Sequence, residues 1–492
     1  MSARALGVLL ALAAGSAGAE TLLVDAARND DHAAAVGLLV ERADPNQAES
    51  DGTTPRHWAV HNDDAELVQR LLAAGANVAA ANDYGATPMS EAAVAANPAV
   101  LEALLKAGAD VDSANADGQT ALMVVARGGN TAAAKVLIDA GANVNAREQR
   151  KDQTVLMWAV AQSQPAMAKL LIEHGAEVDA RSTVNEWERM VTAEPRQKNL
   201  MPGGFTPLLY AARQGCLECA KLLVEAGAKV DLTDPDGVTP LLSALLNAHF
   251  DTAKYLLEAG AMVNKWDFWG RTPLYATVDF STLPHGGRPD RPSLDDTTPL
   301  AMIDILLAAG ANPNAQLKLF PPYRSLRMDR GADAVLDIGT TPLLRAARGA
   351  DLPAIERLVK AGALVDLPQR DGITPLMVAV GAGANSIDTR GKFRTALEAL
   401  ETASALLEAG AVIDQTDARG RTALHYAAGA GYTDVALLLV DRGANLAAVD
   451  ADGVTPIDAA NGKLKGGRRG AGAAYPATAE ALQGLATTTA AR

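Results

Sequence analysis

Short apolar runs with helical spacing repeat along the chain, each ending on a Gly-Ala doublet; Leu67-Val68-Gln69-Arg70-Leu71-Leu72-Ala73-Ala74 before Gly75 is typical. Such spacing predicts one buried helix face, and a glycine past the last turn can take the left-handed conformation that ends a helix. The doublets stand at Gly75, Gly108, Gly141, Gly175, Gly227, Gly260, Gly310, Gly362, Gly410 and Gly443, at intervals of 33, 33, 34, 52, 33, 50, 52, 48 and 33. The base period is 33. A second marker, Thr-Pro or a variant, falls at Thr54, Thr87, Thr120, Thr154, Thr206, Thr239, Thr272, Thr341, Thr374, Thr422 and Thr455. Threonine caps a helix and proline fits its first position. The predicted unit is a turn, a helix, a short turn, a second helix and an extended Val-Asn or Val-Asp segment leading to an Asp-x-x-Gly turn.

One such helix pair cannot bury its own apolar faces, whereas stacked pairs share a continuous core. The residues resemble the ankyrin-repeat family, as in Asp51-Gly52-Thr53-Thr54-Pro55-Arg56-His57-Trp58-Ala59 and Arg421-Thr422-Ala423-Leu424-His425-Tyr426-Ala427-Ala428, over most of 22–460. The resemblance implies an all-α ankyrin-repeat solenoid of about twelve helix-turn-helix units. These include an N-terminal cap from Leu22 to Arg42 and a degenerate last unit from near Asp452. Arg56 stands where the family usually has Leu, and Thr120-Ala121 and Thr154-Val155 lack the proline, so those units are expected to be looser. Beyond Asn461, a basic Gly-rich loop (462–470) precedes an expected capping helix from Ala477 to Leu485.

Four intervals exceed the period, and the phase of the two markers places the inserts. Those near 181–203 and 316–338 lie between units, on the side of the projecting fingers; those near 279–296 and 381–400 divide the two helices of a unit. Long loops carry function more often than the scaffold does, although surface loops also lengthen at little cost in stability.

Composition narrows the function. Aromatic residues are 4% of the chain, so the core is built from Ala, Leu and Val, and a net charge of -14 disfavours nucleic acid, which binds basic surfaces. The first nineteen residues read as a signal peptide: Arg4, an apolar run from Ala5 to Gly15, and Ala17-Gly18-Ala19 before Glu20. A periplasmic or secreted location is expected, with the remaining 20–460 array carrying no segment long enough to span a bilayer. The Ala-rich composition with a plain export signal suits a Gram-negative bacterium.

The candidate contact surface is aromatic. Trp266-Asp267-Phe268-Trp269-Gly270-Arg271 fills a finger where other units show Ala116-Asp117, Pro235-Asp236 or Ala418-Arg419. Family resemblance puts finger and first-helix residues at a concave contact surface, which implicates Trp266, Phe268, Trp269, Arg271 and Tyr275. The insert after it adds Phe320, Tyr323, Arg324, Arg327 and Arg330, and Trp187 sits in the first insert. Aromatic residues and Arg dominate interface hot spots. The same rings could instead clasp the insert onto the fingers. Trp58, Trp158 and Tyr210 are expected as half-buried packing between units.

Little points to chemistry. Cys216 and Cys219, the only cysteines, begin a second helix, where a disulfide or two reduced packing thiols both fit; a redox enzyme would also want a strand-helix-strand setting. His285 with Asp290, Asp295 and Asp296 matches no defined metal loop. No Gly-x-Ser-x-Gly, Walker-type loop or His-Glu-x-x-His occurs. The expectation is a non-enzymatic scaffold without cofactor or metal that binds an unidentified protein or peptide. Its rival is a small-ligand or enzymatic pocket joining Tyr275, Tyr323 and the 279–296 insert.

Overall fold

Threonine hydroxyls start the first helix of most repeats in the computed structural model, which describes residues 19–188, 190–193, 196–199, 202–282, 293–319, 335–383, 394–464 and 473–490. Thr206, Thr239, Thr272, Thr341 and Thr374 each accept the backbone N–H three residues on, at 3.1–3.3 Å, with proline next in line. Thr154 does the same at 3.3 Å without a proline, so helix Val155–Ala161 forms intact. Thr120 makes no such bond and its buried hydroxyl has no partner among the described residues, so of the two units without the proline one lacks its cap. The described helices form twelve consecutive pairs, from Ala19–Arg28 with His32–Val40 to Pro456–Ala460 with Pro476–Ala490. All ten doublet glycines carry φ between 86° and 98°, the left-handed conformation that closes the second helix at little cost only without a Cβ.

The Val-Asn and Val-Asp endings link neighbouring repeats. Asn46 donates to the Gly75 carbonyl at 3.0 Å and accepts the Asn77 N–H at 2.6 Å; Asn145, Asn264 and Asn314 repeat both bonds one repeat further on. Asp112, Asp231, Asp366 and Asp414 accept the corresponding N–H, but a carboxylate cannot donate to the glycine carbonyl. The fingers form a second ladder, in which Asp83, Phe268, Arg370, Ala418 and Ala451 donate their N–H groups to carbonyls of the preceding finger at 2.7–2.8 Å.

The chain divides into two compact units, one of residues 1–184 and 203–229, the other of residues 185–202 and 230–492. Each holds six of the helix pairs. The core of both is Leu, Ala, Val and Met from the facing sides of paired helices, as the composition implies. The departure from an all-helical chain is in the first insert, where Met190–Ala193 pairs antiparallel with Arg196–Asn199. The second and fourth inserts divide helix pairs, between Ser281 and Pro299 and between Ala379 and Ala396. The fourth ends on Arg394, which donates to the carbonyls of Ala347 and Ala379 at 2.7 and 2.6 Å and so satisfies the C-terminal turns of two adjacent first helices. The third leaves its finger at Leu319 and returns at Val335. Val335 and Leu336 then pack on Leu344 and Val378 of helices Pro342–Gly349 and Pro375–Ala379, so part of this first-helix face is filled by the chain itself.

Residues 1–18, with most of the expected signal peptide, and 465–472 in the basic loop lie outside the described residues. The closing helix is longer than expected, Pro476–Ala490. Among the described residues no helix is long and apolar enough to cross a membrane.

Candidate protein-binding finger

An acidic or amide side chain builds several of the fingers from within. In the 266–271 finger, Asp267 Oδ1 accepts the N–H groups of Trp269 and Arg271 at 3.1 and 2.9 Å, and its Oδ2 accepts Arg271 Nε at 2.7 Å. The Arg271 guanidinium lies 5.1 Å over the Trp269 ring, and Phe268 meets Trp269 edge-on at 5.4 Å. A buried ion pair under a stacked ring fixes this turn while its outer rings face solvent. Trp266 is 52% exposed and Phe268 45%, with Trp269 half-buried between them. Lys318 Nζ sits 4.0 Å over Trp266, and Met262, Val263, Asn264, Lys265 and Trp266 line an open groove.

Two expected contact residues change role. Arg271 is 7% exposed and Tyr275 3%, because the first is the counter-ion of Asp267 and the second points into the core from the first turn of helix Pro273–Ser281. Neither offers surface to a partner; Arg271 positions the finger and Tyr275 is part of the core. Phe320, Tyr323, Arg324, Arg327 and Arg330, with His285 and Asp290, lie outside the described residues. Trp187 is exposed, while Trp58, Trp158 and Tyr210 are half-buried as expected, Tyr210 accepting from Gln153 of the preceding repeat. Arg56 donates to the carbonyl of Asn77. Met262 and Lys318 were not anticipated. Met262 takes the exposed place after its doublet that Asn77, Asp110 and Asn143 hold elsewhere, and Leu364 and Val412 are exposed there too, so the sequence does not single it out.

The remaining candidate groups are structural. Asp295 Oδ2 accepts the Asp251 N–H, and the Asp251 carboxylate accepts the N–H groups of Asp296 and Thr297, which holds the start of helix Phe250–Glu258 to the helix that follows the insert. Among the described residues no cluster of three metal-ligating side chains occurs. His57 and His425 accept their threonine's N–H at Nδ1 (3.0 and 3.1 Å) and donate from Nε2 to Ala86 and Val454 carbonyls; burial holds both below the ordinary histidine pKa. Cys216 and Cys219 form a disulfide, which decides between the two states left open by sequence.

The family model of ankyrin repeats (3 copies) matches residues 23–115, 96–182, 188–267 and 395–466, more than half of the chain. The chain belongs to the ankyrin-repeat family. Between the last two matches the ankyrin pattern persists in the structure, with Thr272, Thr341 and Thr374 capping helices as elsewhere. Among solved structures the chain is similar to the human ASB11 ankyrin repeat domain, 22% identical, covering 49% of this chain and 98% of that one with a TM-score of 0.40. It is also similar to the ankyrin repeat domain of Bcl-3, of the IkappaB protein family, 26% identical, covering 46% and 95% with a TM-score of 0.39. No curated protein matches the sequence.

Burial also sets an electrostatic cost in the preceding finger. Asp234 accepts the N–H groups of Asp236 and Val238 at 2.9 Å, and burial pushes its carboxyl from 3.8 up to about 6. Asn82 and Asn115 make the same pair of bonds with an amide. Asp234→Asn is therefore expected to stabilise the protein, by on the order of 1–2 kcal/mol above pH ~6. A carboxyl whose folded pKa is raised loses stability as pH climbs from its unfolded to its folded value, so the gain should vanish towards pH ~4. Lowered histidine values act oppositely, but the difference between variant and parent cancels them. Urea titrations of both proteins across this range check the sign; a gain independent of pH would refute it.

Proposed function

We propose that this ankyrin-repeat chain is an exported, non-enzymatic scaffold, periplasmic or secreted, that binds a protein or peptide through the finger edge centred on Trp266 and Phe268. The reading rests on one observation: two aromatic side chains, each about half exposed, stand beside exposed Met262 on a turn that the Asp267–Arg271 pair holds rigid. A hot spot asks for such rings already ordered, because little side-chain entropy is then lost on binding. Family resemblance favours the concave face. The half-exposed rings stand on the finger, so this reading takes the finger edge as the contact.

The test compares the chain from residue 20 onward with its Trp266→Ala/Phe268→Ala variant, both confirmed as folded by circular dichroism. Proteins of a bacterial periplasmic extract retained by the parent are purified and their affinities measured. A partner that binds the variant at least about ten-fold more weakly supports the site, since ten-fold is the loss of about 1.4 kcal/mol and hot-spot residues exceed it. Equal binding by both proteins removes the finger from the interface, and absence of any retained protein returns attention to a small-ligand pocket among the inserts.

A further inference from the structure

Repeats of one chain act as a substitution series for a single structural position, and the residue preceding the second helix shows what that position prefers. Asp31, Asp64 and Asp351 and the amide of Asn130 each accept the backbone N–H three residues on, at 3.0, 2.9, 3.2 and 3.0 Å. Thr298 and Thr395 make the same bond with a hydroxyl at 3.2 and 3.1 Å, so three of these six caps are carboxylates. In the Leu217–Glu225 repeat a sulfur takes their place: the Cys219 N–H donates to Cys216 Sγ at 3.3 Å. Cys219 in turn occupies the position held by Ala34, Leu67, Ala133 and Ala354, the last three of them buried. The two sulfurs are bonded, Cys219 fully buried and Cys216 8% exposed.

We propose that the Cys216–Cys219 disulfide is a site of thiol–disulfide exchange with a dithiol of a partner protein, Cys216 being the sulfur exchanged. A staple is the weaker use of this pair, because the stabilisation from closing a loop grows with its length and these cysteines are separated by only three positions. Opening the bridge leaves the fold in place: Cys219 stays in the core, and Cys216 becomes a cap of the kind three other repeats make with a carboxylate. A thiolate there gains the same N–H donor and the same positive helix end, so the reduced form is favoured and the bridge is correspondingly oxidising.

The exchange balances in two steps. A partner thiolate attacks Cys216 Sγ, the more accessible sulfur; the Cys216–Cys219 bond breaks, and Cys219 leaves as a thiolate that takes a proton from solvent. The partner's second thiolate then attacks its own sulfur in the mixed disulfide and releases Cys216 as the capping thiolate. The partner has been oxidised from dithiol to disulfide by two electrons, and the bridge reduced by the same two.

The test uses the full chain and the Cys219→Ala variant, whose new residue already fills this position in three other repeats. Reduced glutathione in the millimolar range should open the native bridge without urea, as read by alkylation and mass. In Cys219→Ala, oxidised glutathione should cap Cys216. Its alkylation at pH ~6 should run about ten-fold faster than that of an unstructured cysteine peptide, the factor for a thiol pKa lowered by one unit. A bridge that opens only once the protein is unfolded, or a Cys216 thiol that reacts no faster than the peptide, overturns the proposal and leaves a structural crosslink. Circular dichroism of the variant and of the reduced parent separates either result from loss of fold.

Discussion

Replacing Arg271 by Met is expected to destabilise the C-terminal unit by about 3–5 kcal/mol near neutral pH, the range for removing one partner of a buried ion pair. The substitution leaves Asp267, which is buried beneath the finger, without its guanidinium, and Trp269 without the cation under its ring. Burial already pushes the Asp267 carboxyl above its ordinary pKa even with Arg271 present. Without Arg271 the value rises further, so the penalty is full above the folded pKa and shrinks as pH falls and the carboxyl takes up a proton. Asp267→Asn/Arg271→Met should recover most of the loss, because an amide keeps the acceptor for the Trp269 and Arg271 backbone N–H groups and carries no charge. Urea titration of the full chain, with hydrogen exchange at the finger amides to localise the opening, measures all three variants. A double variant as unstable as the single one would show that the stacking on Trp269, not the stranded carboxylate, sets the cost.

The same pair marks the limit of what the sequence conveys. Periodicity located the repeats, because a capping threonine begins the first helix of a pair and a doublet glycine closes the second, both of which are local requirements. The phase between those markers puts two inserts between units and two inside them. Exposure of a finger side chain is not local. Trp266, Phe268 and Arg271 are all residue types that interfaces favour, yet Arg271 is turned inward by a carboxylate four residues earlier. A signal existed, since Asp417 and Arg421 repeat that spacing, and there too both residues are buried, with Arg421 Nε 3.1 Å from Asp450 Oδ2 and Asp417 accepting from Tyr426. The pairing of Met190–Ala193 with Arg196–Asn199 had no counterpart in the repeat pattern to reveal it, and the packing of Val335 and Leu336 on Leu344 is a tertiary contact that spacing does not encode.

Arg56→Leu is expected to stabilise the N-terminal unit by about 2–3 kcal/mol, within the range found when a buried charge gives way to a well-packed apolar residue. The same chain supplies the comparison. Leu122, Leu156, Leu208, Leu241, Leu274, Leu343, Leu376 and Leu424 hold the corresponding place two residues after the capping threonine, and all are buried. Arg56 is buried as well, with its Nη2 donating to the Asn77 carbonyl while Nε and Nη1 have no hydrogen-bond partner among the described residues. Two unmet donors on a desolvated cation cost more than the one bond returns, and burial alone draws the guanidinium down to about 10 from 12.5. Because that value is still far above neutrality, the group stays charged and the cost is present throughout the physiological range. Thermal and urea unfolding of the full chain, with hydrogen exchange on helices Pro55–His61 and Ala65–Ala73, reads the gain. If Leu leaves those helices no better protected, then the contact with Asn77 compensates the buried charge, and a second variant, Arg56→Gln, which keeps a donor for that carbonyl without the charge, should then be the more stable of the two.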